Sequence, residues 1–237
     1  MKTVEGVKVF VADDSHLSYV TVINDTIDAA SKERGTGIAR RSDEYITTKI
    51  AEGKAIIALD GDKFAGFCYV ESWGHNRFVA NSGLIVVKEY RGGGLAREIK
   101  KKAFQLSRKK FPDAKIFGLT TGLAVMKINH ELGYRPVTFS ELTDDESFWK
   151  GCQSCVNYDI LQRTGRSKCL CTGMLFDPVW EKNKKEAEIK PKRISLIEMI
   201  GKLKSKSHNG DKVSNFSMFK RVKQDISGGT VQQSFQD

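Results

Sequence analysis

Residues 91–96 read Arg91-Gly92-Gly93-Gly94-Leu95-Ala96, between two stretches of different hydrophobic period. Upstream, Phe78 to Val87 ends in the continuous apolar run Leu84-Ile85-Val86-Val87, the pattern of a buried strand. Downstream, Leu95, Ile99, Ala103 and Leu106 recur at helical spacing until about Lys110. The stretch is therefore a strand–glycine loop–helix connection. Successive glycines let the backbone turn tightly and present its N–H groups. The helix N-terminus adds partial positive charge, and together they form an anion site suited to a pyrophosphate. Arg91 adds a cation. This is not a P-loop, since the Lys-Ser/Thr pair is absent. Nor is it Gly-x-Gly-x-x-Gly, because Arg97 holds the third glycine position. A glycine turn without a ligand is the plain alternative.

Working outward from the loop, Val7 to Ala12 reads as a first strand and Ser15 to Glu33 as a helix with Leu17, Val20, Ile23, Ile27 and Ala30 on one face. Ser42 to Glu52 is a second helix, stopped by Gly53. Ala55–Leu59, Lys63–Trp73 and Phe78–Val87 form a meander, with Asp60-Gly61-Asp62 as a hairpin turn. After the helix that follows the loop, Pro112 breaks the pattern. Lys115–Thr121 is a strand, Leu123–Leu132 a short helix, Tyr134–Phe139 a strand and Thr143–Lys150 a helix with Thr143 as cap. Leu170–Phe176 closes the series as a strand. An antiparallel meander followed by a β-α-β unit predicts a mixed α/β (α+β) domain over residues 1–178, with helices on both faces of the sheet. Residues 179–237 read as a basic, flexible C-terminal tail.

The 237 residues are 40% hydrophobic and 29% charged, which supports a packed core. No apolar run approaches the ~20 residues of a membrane helix, and no secretory leader is visible. The net charge is +10. Residues 181–237 carry 13 Lys/Arg against 7 Asp/Glu, so more than half of the excess lies there. The domain itself is only mildly basic, which argues against a nucleic-acid face on it. Five cysteines without a leader point to a reducing, cytoplasmic setting.

Four of those cysteines form the pattern Cys152-x2-Cys155-x13-Cys169-x-Cys171. That spacing suits a structural Zn²⁺. Partly buried free thiols and a redox pair are the alternatives.

Arg91, Gly94 and Ala96, followed downstream by Leu132-Gly133-Tyr134, resemble the acyl-CoA signature and the Leu-Gly-Phe/Tyr helix end of the GNAT N-acyltransferase superfamily. The order of strands and helices is similar as well. Arg34-Gly35-Thr36-Gly37-Ile38-Ala39-Arg40, Gly118 to Ala124 and the cysteine stretch to Asp177-Pro178 further resemble small bacterial N-acetylglutamate-synthase-like members linked to arginine biosynthesis. The resemblance implies a mostly antiparallel sheet in which two neighbouring strands splay, with acetyl-CoA or succinyl-CoA in the cleft as cosubstrate. The backbone of Ile85, Val86 and Val87 would pair with the pantetheine amides. An N–H of Ile85 or Val86 would face the thioester oxyanion. Gly92, Gly93, Gly94, Leu95 and Ala96 would hold the pyrophosphate, with Arg97 or Lys100 toward the outer phosphate or simply toward water.

For the chemistry, Glu71 is the carboxylate nearest the meander's third strand and the candidate base. The family's thiolate acid, a Tyr, corresponds to Asn129 here, with His130 and Tyr134 as neighbours able to donate. Arg34, Arg40 and Arg41 bracket the loop where such enzymes build an acceptor wall, which suits glutamate; solvated helix-end charges are the alternative. Thr120 and Thr121 end the second cleft strand. The implied activity is acyl transfer to an amino-acid amine. Alternatives are another amine acceptor (a protein lysine or polyamine) or a non-catalytic acyl-CoA-binding regulator. The partner is a small molecule rather than a membrane, and the oligomeric state is open, a homodimer among the options.

Overall fold

The computed structural model describes residues 6–34, 40–184, 186 and 187. The described residues as far as Lys184 form one compact unit. The region read as a tail lies outside the described residues beyond Lys184, apart from 186 and 187.

Seven strands build one sheet. They are β1 (Val7–Val11), β2 (Ala55–Asp60), β3 (Lys63–Trp73), β4 (Phe78–Val86), β5 (Lys115–Thr120), β6 (Arg135–Val137) and β7 (Thr172–Phe176), in the order β1-β2-β3-β4-β5-β7-β6. All pairings are antiparallel except β4 with β5. The main helices are α1 (Val20–Arg34), α2 (Asp43–Ala51), α3 (Leu95–Lys110) and α4 (Leu123–Glu131), followed by the short α5 (Glu146–Lys150) and α6 (Tyr158–Arg163). The expected mixed α/β architecture is the one observed.

Side-chain alternation along the strands sorts the core into two faces. Ile56, Ala58, Cys68 and Val70 point to α3, which buries Leu95, Ile99 and Ala103 against them. Ile57, Leu59 and Phe67 point the other way, to Ile23 and Ile27 of α1 and Ile46 and Ile50 of α2. A third cluster packs Phe117 and Leu175 against Trp149 and Leu161 of the segment after β6.

Several boundaries differ from the sequence reading, each for a local reason. The predicted helix at Ser15 starts as a 3-10 turn, Asp14–Tyr19, because Asp13 takes the Ser15 N–H and forms a capping box with His16. The tighter period leaves Leu17 exposed rather than on the buried face. Thr143 does not cap α5; its carbonyl accepts the Trp149 indole N–H, and Asp145 caps the helix through the Ser147 N–H. Pro178 heads a short helix, residues 178–184, where the sequence reading places the start of the tail. Among the described residues no helix is long and apolar enough to cross a membrane.

Two irregularities in β4 shape the middle of the sheet. Opposite β3, the register steps from Phe67↔Ile85 to Tyr69↔Ser82, so β4 carries an extra residue there, a bulge. Gly83 sits in it at φ +66, and a Cβ would meet the Tyr69 ring at 2.5 Å. Opposite β5, pairing covers only Phe78↔Lys115, Val79↔Ile116 and Ala80↔Phe117. From Asn81 onward the two strands part, and β5 continues on its other edge with β7 as far as Thr120↔Thr172.

The bulge gives a stability test. Gly83→Ala should cost about 2 kcal/mol, from positive φ plus the ring clash. Gly61→Ala, also at positive φ but with nothing within 4 Å of its Cβ, should cost clearly less. Denaturant unfolding of both variants checks this; equal losses would mean that the Tyr69 approach imposes no constraint.

Candidate active site

The parting strands open into a cleft of about 1130 Å³. It runs through the sheet plane. Arg41 and Tyr45, from the loop before α2 and from α2 itself, line one side, and Lys100 of α3 and Asn129 of α4 line the other. Tyr69, Glu71, Asn81, Gly118 and Thr120 supply the strand edges between them.

Of the residues expected at an acceptor site, Arg40, Arg41, Thr120, Thr121 and Glu71 line this cleft. The side chain of Arg34 lies outside the described residues, as does the loop 35–39. Arg40 is exposed and stands 3.8 Å from Asp25. Arg41 is half-buried and donates from Nε to the Tyr69 hydroxyl at 3.1 Å. Thr120 Oγ1 accepts the Gly122 N–H at 3.0 Å, which fixes the turn into α4.

Glu71 is fully engaged. Its Oε2 lies 2.6 Å from Lys49 Nζ and accepts the Tyr45 hydroxyl at 2.6 Å, while Oε1 accepts the Ser72 N–H. Lys49 and Tyr45 were not singled out in the sequence. The available signal was that Lys49 falls among the buried positions of α2, between Ile46 and Ile50. Burial, then Tyr69 and Glu71, holds the Tyr45 phenol well above its ordinary pKa, so it remains a donor.

The glycine loop stands as expected between β4 and α3. Gly92 and Gly94 take φ of +82 and +90, conformations glycine adopts without a Cβ penalty. The first amides of α3 have no carbonyl one turn earlier to receive them, the usual condition of a helix N-terminus. Arg91, however, is turned inward. Its Nε donates to the Val86 carbonyl at 3.0 Å and its Nη1 to Glu33 at 2.9 Å. It ties the loop to β4 and α1 rather than standing free above the glycines. The Val87 N–H bonds the Ala65 carbonyl across to β3. Strand alternation therefore directs the Val86 N–H to the edge of β4 away from β3.

Arg97 and Lys100 also differ from expectation. Arg97 forms a two-bond pair with Glu131 of α4. Lys100 is 2% exposed and donates to the Asn81 carbonyl at 3.1 Å. Tyr134 is a core residue whose hydroxyl donates to Asn81 Oδ1, and it does not line the cleft. His130 is exposed. Asn129, at the position of the family Tyr, does line the cleft, with its Oδ1 buried and lacking a hydrogen-bond partner.

Cys152 and Cys171 line the far wall, and Cys169 packs with them on the third core cluster. The expected four-cysteine zinc site is not supported by this arrangement. Among the described residues no three His, Cys, Asp or Glu side chains group as metal ligands. Burial first, and neighbouring thiols second, raise Cys152 to about 11 and Cys171 to about 12. Both are neutral thiols at pH 7.

Two measurements test this site. Glu71→Gln removes the nearer counter-charge of the nearly buried Lys49, leaving Glu52 at 3.7 Å, and should cost about 2 kcal/mol in denaturant unfolding. Adding Lys49→Met should recover most of that loss; additive losses would mean the pair is not coupled. Separately, a raised pKa lowers the thiolate fraction below it. Alkylation of Cys152 at pH 7.5 should thus run about 100-fold slower than that of a thiol at the ordinary value of 9.0 and keep rising with pH toward 11. A plateau near pH 9, followed by peptide mass analysis, would contradict this.

Residues 22–129 match the model of the acetyltransferase (GNAT) family. Among solved structures, N-acetylglutamate synthase from Neisseria gonorrhoeae, complexed with coenzyme A and N-acetyl-glutamate, is similar at TM-score 0.51 and 15% identity. The match covers 72% of this chain but 35% of that one, so the chain spans about a third of the synthase. Rv2747 from Mycobacterium tuberculosis, solved with CoA, is similar at TM-score 0.51 and 16% identity, over 72% of this chain and 98% of the other. The protein yncA from Salmonella typhimurium, with its cofactor acetyl-CoA, is similar at TM-score 0.51 and 13% identity, over 73% and 94%. No curated protein matches the sequence. At these identities the structures speak for the fold. The segment 22–129, which carries the glycine loop and both parted strands, is thus similar in sequence to the acetyltransferase (GNAT) family, and the fold agrees with that match.

Proposed function

We propose that this GNAT acetyltransferase moves an acetyl or succinyl group from acyl-CoA to the amine of an acidic amino acid, with L-glutamate as the leading acceptor and arginine biosynthesis as the setting. The observation that carries this reading is the cleft itself. It opens where β4, the strand that runs on toward the glycine loop, stops pairing with β5, and it holds the half-buried Arg41 on its wall.

The pantetheine arm would enter as an added strand along the free edge of β4. The glycine loop, residues 92–96, would receive the pyrophosphate on its backbone amides. The Val86 N–H would pair with an amide of that arm. Ile85 and Val87 would hold that edge in place through β3. In this reading Arg91 serves the donor by fixing the Val86 carbonyl and the loop, not by touching phosphate.

Arg41 and Arg40 would receive the acceptor's carboxylates. A guanidinium steadied by one hydrogen bond to Tyr69 keeps its other N–H groups for a ligand. Arg34, whose side chain lies outside the described residues, is assigned to the same proposed wall on its place in the sequence, and Thr120 and Thr121 would complete it. Glu71, 2.6 Å from Lys49, is the carboxylate placed to take the amine's proton, through a water. Because Lys49 neutralises Glu71, the net charge of the wall remains positive, which favours an acidic acceptor over a polyamine. We place the protein in the cytoplasm, in keeping with its thiols.

Thiol release from acetyl-CoA and succinyl-CoA, measured across a panel of amino acids, a lysine peptide and putrescine, tests the assignment. Glutamate should exceed the other acceptors with one of the two donors; no preference for it would overturn the acceptor. Arg41→Ala should raise the acceptor KM about 10- to 100-fold with the donor KM little changed. A change confined to the donor KM would remove Arg41 from the acceptor wall.

A further inference from the structure

The position of the family's thiolate acid holds Asn129, which cannot give up a proton usefully. The structure brings a different side chain to that place. Lys100 comes from α3, one and a half turns from the glycine loop, and lines the cleft at its apex. Its Nζ stands 3.9 Å from where a Cβ on Gly118 would be, and Asn129 Nδ2 stands 4.0 Å from the same point. Lysine and asparagine thus flank the bare backbone of β5 where it has left β4.

Lys100 is a costly residue to bury. An ammonium has three N–H donors. Among the described residues its hydrogen-bond partner is the Asn81 carbonyl, and the Tyr134 ring lies 5.8 Å away. No carboxylate pairs with it in the described part of the chain. A buried ammonium without a counter-ion is strongly disfavoured unless an anion joins it. The second unpaired group is Asn129 Oδ1, an acceptor buried at the same apex. A ligand that brings transient negative charge together with an N–H donor would satisfy both. A pantetheine arm ending in sulfur has that chemistry.

We propose that Lys100 is the proton donor to the departing CoA thiolate, standing in for the absent Tyr, with Asn129 accepting an N–H from the pantetheine arm. This rests on the acyl-CoA reading above. When the tetrahedral intermediate collapses, the C–S bond breaks and its electron pair goes to sulfur. One Lys100 N–H proton passes to that sulfur, leaving CoA as the free thiol and Lys100 as a neutral amine. The acceptor ammonium gives up two protons on its way to the amide, both reaching solvent by way of Glu71 and its water, and Lys100 regains one from solvent, so the cycle releases one proton.

Burial lowers the Lys100 pKa from the ordinary lysine value, and Cys68 acts in the opposite sense. The direction suits a group that must give up its proton. The titratable groups packed around it are Cys68 of β3, raised to about 11 by burial, and the buried Tyr134, raised further. Both are neutral near pH 7, so neither competes with the thiolate for the ammonium.

The test needs no acceptor. Coenzyme A and desulfo-coenzyme A are each bound to the protein, and the ultraviolet difference between the two complexes is followed with pH, which isolates the coenzyme's thiol from the five protein cysteines. In the wild type the bound thiol should ionise about one pH unit or more below its value in Lys100→Met, since a neighbouring cation favours the thiolate. Calorimetry should give similar CoA affinities for both proteins. Identical thiol titrations with CoA bound would overturn the role of Lys100 while leaving the acyl-CoA reading standing. Failure of the wild type to bind CoA at all would overturn both. Lys100→Met keeps most of the stem volume and should melt no lower than wild type; should it misfold, Lys100→Gln provides the same comparison.

Discussion

β4 and β5 are held together at three residue pairs and no further. Everything that makes this protein more than a packed sheet follows from that interruption. A parallel pair that continued would bury its backbone edges and leave no opening. Here the strands diverge because each has another claim on its backbone. β5 turns its far edge to β7 as far as Thr120. β4 is bent by the bulge that Gly83 permits against the Tyr69 ring. The exposed edges can be satisfied by water or by an extended ligand, and the glycine loop sits at the end of the β4 edge.

The apex of the divergence is closed by polar groups rather than by apolar packing. Asn81 is the first β4 residue beyond the last β5 pair. Its carbonyl accepts from Lys100, its Oδ1 from Tyr134, and its Nδ2 donates to Ser107. Such a network fixes a single arrangement because a half-made version would strand buried polar groups. Its cost in desolvation is tolerable only because nearly every member is paired. Lys100, which retains spare donors, faces the cleft with Asn81 and with Asn129, whose Oδ1 has no partner.

The opposite wall follows the same rule with charge. Lys49 and Glu71 are both largely withdrawn from water and sit 2.6 Å apart, with Tyr45 completing the carboxylate. Neither ion would be tolerated there alone. The pair leaves Arg41 as the cation of that wall with donors to spare, next to a row of neutral thiols. Binding capacity is thus concentrated in a few groups while the surrounding charges cancel.

Hydrophobic period and glycine placement were enough to read the strand–loop–helix unit, the meander before it and the β-α-β unit after it, because those signals are local. Residues of the proposed acceptor wall and the cysteine segment could be named for the same reason, by type and spacing. What spacing could not tell was direction. Lys100 reads as one more solvated helix lysine, yet it falls on the line of Ala96, Ala103 and Ser107 and points inward; Arg91 reads as a phosphate contact, yet it reaches back to Val86 and Glu33. The sequence by itself determined the element order, the glycine loop between strand and helix, and the family resemblance. Only the tertiary structure decided where β4 leaves β5, which ions pair and which lysine is buried, because those outcomes depend on which distant backbone and side-chain groups remain unsatisfied once the sheet has formed.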